Sequence, residues 1–280
     1  MRITTKYSAF ARRVTMAALL ALAVAGCESV QTTQSGAIGI NRTQRMSSLV
    51  SEAQLNQQAA QLYQQTLTGA RSKGQLNTNA SQLSRVRAIS QRLIAQVGAF
   101  RPDAANWKWE VNVIDSKEVN AWCMPGGKIA VYTGLLDTIK PTDDELAAVL
   151  GHEIAHALRE HARERASEQM ATNVGLSVLA AITGSQATSD LGGALANVMF
   201  ALPNSRLHET EADRMGVELA ARAGYDPRAA VTLWTKMGQV GGSAPPEILS
   251  THPSAESRIA DLKQASEKVL PLYQQARAKR

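Results

Sequence analysis

The stretch His152-Glu153-Ile154-Ala155-His156 constrains this chain more than any other. In an α-helix, residues four apart lie one above the other on one face, so the two imidazoles can grip a single metal ion. Glu153 then stands beside the metal rather than on it. Two histidines holding Zn²⁺, with a glutamate to take a proton from the bound water, are the parts needed to attack a peptide carbonyl. Leu146, Val149, Leu150, Ile154, Ala157 and Leu158 form an apolar stripe that would press this helix against a core. The apolar period is expected to run as one helix from Asp143 to Met170, with Thr142 as its cap and three acids on the positive end of its dipole.

A zinc held by two histidines of one helix needs a third protein ligand, and a glutamate on a later helix would leave one position for water. Ser205-Arg206-Leu207-His208-Glu209-Thr210-Glu211-Ala212-Asp213 opens such a helix. Glu209 and Asp213 share a face, whereas Glu211 points to the far side. The ligand is therefore Glu209 with Asp213 behind it, or Glu211 alone. His161 and His208 fall about 140° and 100° round their helices from the neighbouring ligand positions and are expected to be polar bystanders.

Charge first invites a nucleic-acid reading, since the formal balance is +6. Four of the basic residues, Arg2, Lys6, Arg12 and Arg13, precede position 27, which leaves 26 basic against 24 acidic residues in the remainder. With no dense basic run there, no nucleic-acid partner is expected. Residues 1–26 read as a lipoprotein signal peptide: a basic start, a short apolar stretch and the ending Val24-Ala25-Gly26-Cys27. That ending resembles a bacterial lipobox, which implies lipid on Cys27 and a membrane anchor. Residues 27–45 are polar and without period, and are expected to form a flexible tether. The remainder, 46–280, is expected to be one peptidase domain with a C-terminal helical annex at about 226–280.

Within that domain, Met46–Leu67 and Leu83–Val97 read as scaffolding helices separated by a Gly74–Asn79 loop. Trp107–Val113, Asn120–Cys123 and Ile129–Tyr132 read as short strands, the last two joined by a Pro125-Gly126-Gly127 turn. A strand through Asn120 and Ala121 beside the metal helix could pair with an extended substrate. Val174–Pro203 reads as a helical hairpin whose halves are too short to cross a bilayer. Cys123 has no expected partner and reads as a small buried apolar residue.

Four ordered motifs, His152 to His156, Asn120-Ala121…Pro125-Gly126-Gly127, Ser205-Arg206…Glu209…Ala212-Asp213, and Thr251-His252-Pro253, together resemble the HtpX-like zinc metallopeptidase family, in particular its periplasmic members. The resemblance spans roughly Trp107 to Leu262. It implies an α+β, zincin-like fold, mostly helical, with a small antiparallel sheet beside the metal helix. It also implies one Zn²⁺ per chain on His152, His156 and Glu209, Glu153 as general base, and Asp213 steadying a ligand from behind. By the same resemblance His252, in a loop, can fill the open zinc position and hold the enzyme latent. The expected partners are unfolded or misassembled envelope proteins, on the periplasmic side of a bacterial envelope and at the outer membrane, since Glu28 follows Cys27 where an aspartate would favour the inner one. The rival class is a periplasmic assembly factor that binds clients and rarely cuts them.

Overall fold

The computed structural model describes residues 27–183, 198–200, 204–240, 247–252 and 256–279. The expected signal peptide, the tip and second half of the Val174–Pro203 hairpin, and Pro253 of the Thr251-His252-Pro253 motif lie outside the described residues. Among those described, no helix is long and apolar enough to cross a membrane.

Strands β1 (Cys27–Val30) and β2 (Gln44–Ser47) pair antiparallel at the start of the chain. Two scaffolding helices follow, α1 (Glu52–Ser72) and α2 (Ala80–Ile94), capped by the side chains of Ser51 and Asn79. Two short 3₁₀ turns lead to β3 (Glu110–Ile114), β4 (Ala121–Met124) and β5 (Lys128–Tyr132). After α3 (Thr133–Ile139) come α4 (Asp143–Leu158) and α5 (His161–Thr183), then α6 (Arg206–Arg222). The C-terminal annex holds α7 (Ala229–Gln239), α8 (Glu247–Thr251) and α9 (Glu256–Ala278). This is the α+β, mostly helical architecture that the sequence led us to expect.

Three expectations need correction. The sheet is mixed rather than antiparallel: its order is β3-β5-β4, with β5 parallel to β3 and antiparallel to β4. The Pro125-Gly126-Gly127 turn folds β5 back into the middle, and Gly126 and Gly127 adopt φ of 75° and 79° to do it. A Cβ on Gly127 would stand 2.6 Å from the Trp109 ring. β4 is left as the outer strand, against the metal helix.

Residues 27–45 are not a free tether. Ile38 and Ile40 are buried, and Gln44 is fully so. Gly36, at φ 61°, turns the chain so that the backbone N–H groups of Ala37 and Ile38 both donate to buried Glu218, at 2.9 and 2.7 Å. A polar segment with no apolar period can still be ordered when its polar groups satisfy buried charges, and periodicity does not register that.

Helix α4 starts at a capping box, with Thr142 Oγ1 accepting from the Glu145 N–H and the Glu145 carboxylate accepting from the Thr142 N–H. It ends at Leu158, not at Met170. Glu160 takes a left-handed φ of 51°, held by Arg101 at 2.6 Å and Arg163 at 3.1 Å, and the chain restarts as α5 in a new direction. The sequence shows an unbroken apolar period across this point because both helices bury a face there.

Helices α4 and α6 meet through a glycine on each side. A Cβ on Gly151 would approach the Gly216 carbonyl oxygen to 2.8 Å, and one on Gly216 would approach the His152 amide nitrogen to 2.6 Å. The missing side chains let the backbone that carries His152 lie against the helix that carries Glu209.

Candidate metal centre

One turn apart on α4, His152 and His156 place their Nε2 atoms 3.1 Å from each other. Glu209, in the first turn of α6, brings its carboxylate to 3.3 Å from His156 Nε2 and 3.5 Å from His152 Nε2. His252 follows α8 and closes the group, with Nδ1 at 2.9 Å from Glu209 and 3.1 Å from His152 Nε2. One ligand atom from each of the four lies within 4.8 Å of all the others, and all four residues are buried. Glu211 is not among them, which agrees with the facing argument that separates it from Glu209.

The donor set fits a cation. His152 Nδ1 faces Asp213 Oδ1 at 2.9 Å, and Arg258 grips the same carboxylate at 2.6 and 2.7 Å. Asp213 is thus an acceptor, so His152 carries its proton on Nδ1 and turns a bare Nε2 lone pair toward His156 Nε2 and Glu209. Glu209 Oε2 and Glu153 Oε1 are buried with no hydrogen-bond partner. Buried acceptors aimed at one another are costly unless a cation sits among them. Their spacing is close to the ~3.3 Å edge of a tetrahedron with ligand bonds of about 2.0 Å, the habit of zinc.

Electrostatics keep His156 and Glu209 in binding form. His156 is held well below the ordinary imidazole range because burial disfavours its charged form. Burial would raise Glu209, but His252 and His152 beside it hold its carboxyl well below the usual range. Glu153 is raised, chiefly by burial, while its Oε1 lies 3.5 Å from His252 Nε2. His252 itself is raised despite its burial, because the Glu209 and Glu153 carboxylates face it.

Glu153, His156 and His252 line a cavity of about 500 Å³. β4 forms its side through Asn120, Ala121, Trp122 and Cys123. Phe200 stacks edge-on against Trp122 at 5.7 Å, so the far wall is aromatic. Arg165 also lines it; burial lowers its guanidinium to about 10, and it donates to Asn204 Oδ1. Cys123 is free and buried, and burial pushes its thiol up, which makes it inert rather than nucleophilic.

Residues outside the motifs complete the centre. Arg258 stacks on Trp234, 3.4 Å from the ring centroid, and reaches Glu209 at 3.2 Å without a well-aligned hydrogen bond. Neither Arg258 nor Trp234 could be picked from the sequence, since each sits in an ordinary amphipathic annex helix. His161 and His208, read as polar bystanders, are both buried, with rings stacked at 4.3 Å. For His161 the chain break at Glu160 is the reason, since the 140° offset assumes a continuous helix. Glu211, the rejected ligand, serves this second cluster by accepting from Arg159, Arg42 and His161.

An α+β fold with two helical histidines, an intervening glutamate and a glutamate from a following helix defines a metallopeptidase centre of the zincin class. The chain belongs to that class through peptidase family M48, whose model matches residues 80–266. It is 41% identical over 174 residues to the mitochondrial metalloendopeptidase OMA1 of Arabidopsis thaliana, covering 61% of this chain and 35% of that protein. Against OMA1 of Schizosaccharomyces pombe the identity is 38%, covering 64% and 51% of the two chains. The beta-barrel assembly-enhancing protease of Escherichia coli K12 is 34% identical, covering 68% and 40%. The chain spans about a third to a half of the length of these curated relatives.

The geometry predicts that Glu209→Ala abolishes stoichiometric zinc binding, whereas Glu211→Ala retains the metal with weaker affinity. Zinc content after dialysis, measured on both purified variants, checks this; loss confined to Glu211→Ala would overturn the ligand assignment.

Proposed function

We propose that the chain is a zinc-dependent endopeptidase that cuts unfolded or misassembled proteins of the cell envelope. The observation that carries this reading is the convergence of His152, His156 and Glu209 with a raised, unpartnered Glu153 at the end of a strand-lined cavity. A bound zinc ion supplies Lewis acidity to the attacking water and the scissile carbonyl. Glu153 takes the proton of the attacking water and delivers it to the leaving amine. Its raised basicity, a consequence of burial, suits that exchange. Asp213, clamped by Arg258, keeps His152 in the tautomer that presents Nε2.

Substrate form follows from the sheet. With β5 on one side and the cavity on the other, β4 offers its outer edge from Ala121 onward to an extended chain, which would displace the Asn120 side chain from the Ala121 N–H. Only locally unfolded protein can present a free strand there. Glu153→Gln should lower peptide-cleavage kcat by about 10²–10⁴-fold with zinc content unchanged. An unaltered rate would leave the assembly-factor reading, binding with little cutting, as the better one.

His252 supports a latent resting state. It sits 2.9 Å from Glu209 and 3.5 Å from Glu153, which supports a resting state in which its imidazole competes with the attacking water. Substrate or a partner would have to withdraw it, and the energy of that step sets the active fraction. His252→Ala should raise cleavage of an unfolded substrate and of the chain itself while three ligands retain the zinc; lower activity would make His252 a substrate-handling residue instead.

Residues 1–26 act in this reading as a lipoprotein signal peptide, with Cys27 as the acylated anchor, at the periplasmic face of the outer membrane. The E. coli relative is named for β-barrel assembly, which fits an envelope setting. Cys27→Ala should move the protein from the membrane fraction to the soluble one or block processing, as read by fractionation and gel mobility; unchanged membrane retention would reject the anchor.

A further inference from the structure

Behind the metal centre lies a buried cluster that the peptidase mechanism does not use. His156 turns Nε2 toward the ligand group and Nδ1 away from it, 2.8 Å from His161 Nδ1. His161 Nε2 in turn stands 3.1 Å from Glu211 Oε2. Glu211 meets two guanidinium groups: Arg159 Nη2 at 3.0 Å, and Arg42 through Nε at 2.8 Å and Nη2 at 2.9 Å. Arg42 belongs to the N-terminal segment, outside the residues matched by the family model. The same guanidinium bonds Glu164 at 2.6 and 2.9 Å, and Glu164 holds His208, whose ring stacks on His161.

We propose that His161 and Glu211, clamped by Arg159 and by Arg42 of the N-terminal segment, are positioning residues for His156, fixing its ring with the proton on Nδ1 and the lone pair of Nε2 aimed into the metal centre. The proton directions allow one consistent arrangement of neutral rings. A carboxylate between two guanidinium groups accepts and does not donate, so His161 must carry its proton on Nε2 to bond Glu211. His161 Nδ1 is then a bare acceptor. The 2.8 Å contact to it requires a donor, which places the His156 proton on Nδ1 and leaves Nε2 free for a metal. His152 reaches the same state by a shorter route, directly from Asp213. The two ligand histidines thus have separate orienting systems, one closed by Arg258 of the annex and the other by Arg42 of the N-terminal segment.

Arg42 has help in holding that segment down. Gln44 donates from Nε2 to the Arg159 carbonyl at 2.6 Å and to Glu164 at 2.7 Å, and Arg159 Nη1 donates to Thr33 Oγ1 at 3.1 Å. Withdrawal of the segment would leave Glu164 and Glu211 short of a shared cation in a buried place, and the pull on His161 would slacken. The N-terminal segment is therefore part of the metal centre's support.

The inference rests on the metal-centre reading, and the experiment separates the two. Histidine-¹⁵N spectra of the full chain without metal report each ring's tautomer, and chelator competition reports zinc affinity. In the unaltered chain His156 should appear protonated at Nδ1 and His161 at Nε2. His161→Phe should mix the His156 tautomers and weaken zinc about 10–100-fold, with His161→Gln, which restores an acceptor, recovering part of the loss. Arg42→Gln, at a partly exposed site, should shift the same His156 resonance and weaken zinc more than Arg42→Lys does. A His156 resonance and zinc affinity unchanged in both His161→Phe and Arg42→Gln would overturn the relay. If His161→Phe does not fold, the Arg42→Gln result alone decides in the same sense. Failure of the unaltered chain to bind zinc would instead overturn the metal reading, while the metal-free spectra still decide the relay.

Discussion

The contact between Gly151 and Gly216 governs the rest of the structure. Ligands on two different helices converge on one ion only if the helix axes come closer than ordinary side chains permit, and here backbone lies on backbone. His152 follows the contact on α4, and Asp213 and Glu209 precede it by one and two turns on α6. The glycines cost helix propensity, roughly 1 kcal/mol each relative to alanine. Close packing of α4 and α6, flanked by Leu146, Leu150, Met215 and Leu219, all fully buried, offsets that cost. The candidate metal ligands are thus set by helical backbone rather than by loops, except for His252.

Bringing the helices together also buries carboxylates. Glu153, Glu209, Glu211, Asp213 and Glu164 are all shielded from water, and each buried charge needs compensation or a proton. Arginine supplies it at three of them: Arg258 for Asp213, Arg159 and Arg42 for Glu211, Arg42 for Glu164. The planar guanidinium satisfies several acceptors in fixed directions, which a lysine cannot. Glu209 and Glu153 are different. Each keeps an oxygen without a hydrogen bond, although Arg258 Nη1 stands 3.2 Å from Glu209 Oε2, and these two are the groups that a metal and a proton in transit would satisfy. Carboxylates fully bonded to arginine frame the candidate site, and those with an unbonded oxygen are the ones to which the proposed mechanism assigns its working atoms.

The sequence announces some of this better than the rest. His152, Glu153 and His156 were legible because their spacing is a single-helix property, and Thr142 and the Pro125-Gly126-Gly127 turn because caps and turns are local. Glu209 could be separated from Glu211 by helical phase alone only up to a choice of faces. The parallel pairing of β3 with β5, the break at Glu160 and the roles of Arg258, His161 and His208 were not legible. Each depends on which distant element fills a space, and no periodicity in one segment encodes that. The error at His161 is instructive: a phase argument is only as sound as the continuity of the helix beneath it.

The N-terminal segment shows the same limit from the other side. Its composition, rich in Ser, Thr, Gln and Gly, is that of a linker, and it buries few apolar side chains. What orders it is a set of hydrogen bonds to charges the domain has already buried: Glu218 to the Ala37 and Ile38 amides, Glu164 to Gln44, Glu211 and Glu164 to Arg42. A bond to a charged group contributes about 1.5–3 kcal/mol, roughly twice a neutral one, so a few of them can hold a segment with little core of its own. The segment is thus held at its two ends by the pairing of β1 with β2 and between them by bonds to buried charge, neither of which leaves an apolar period in the sequence.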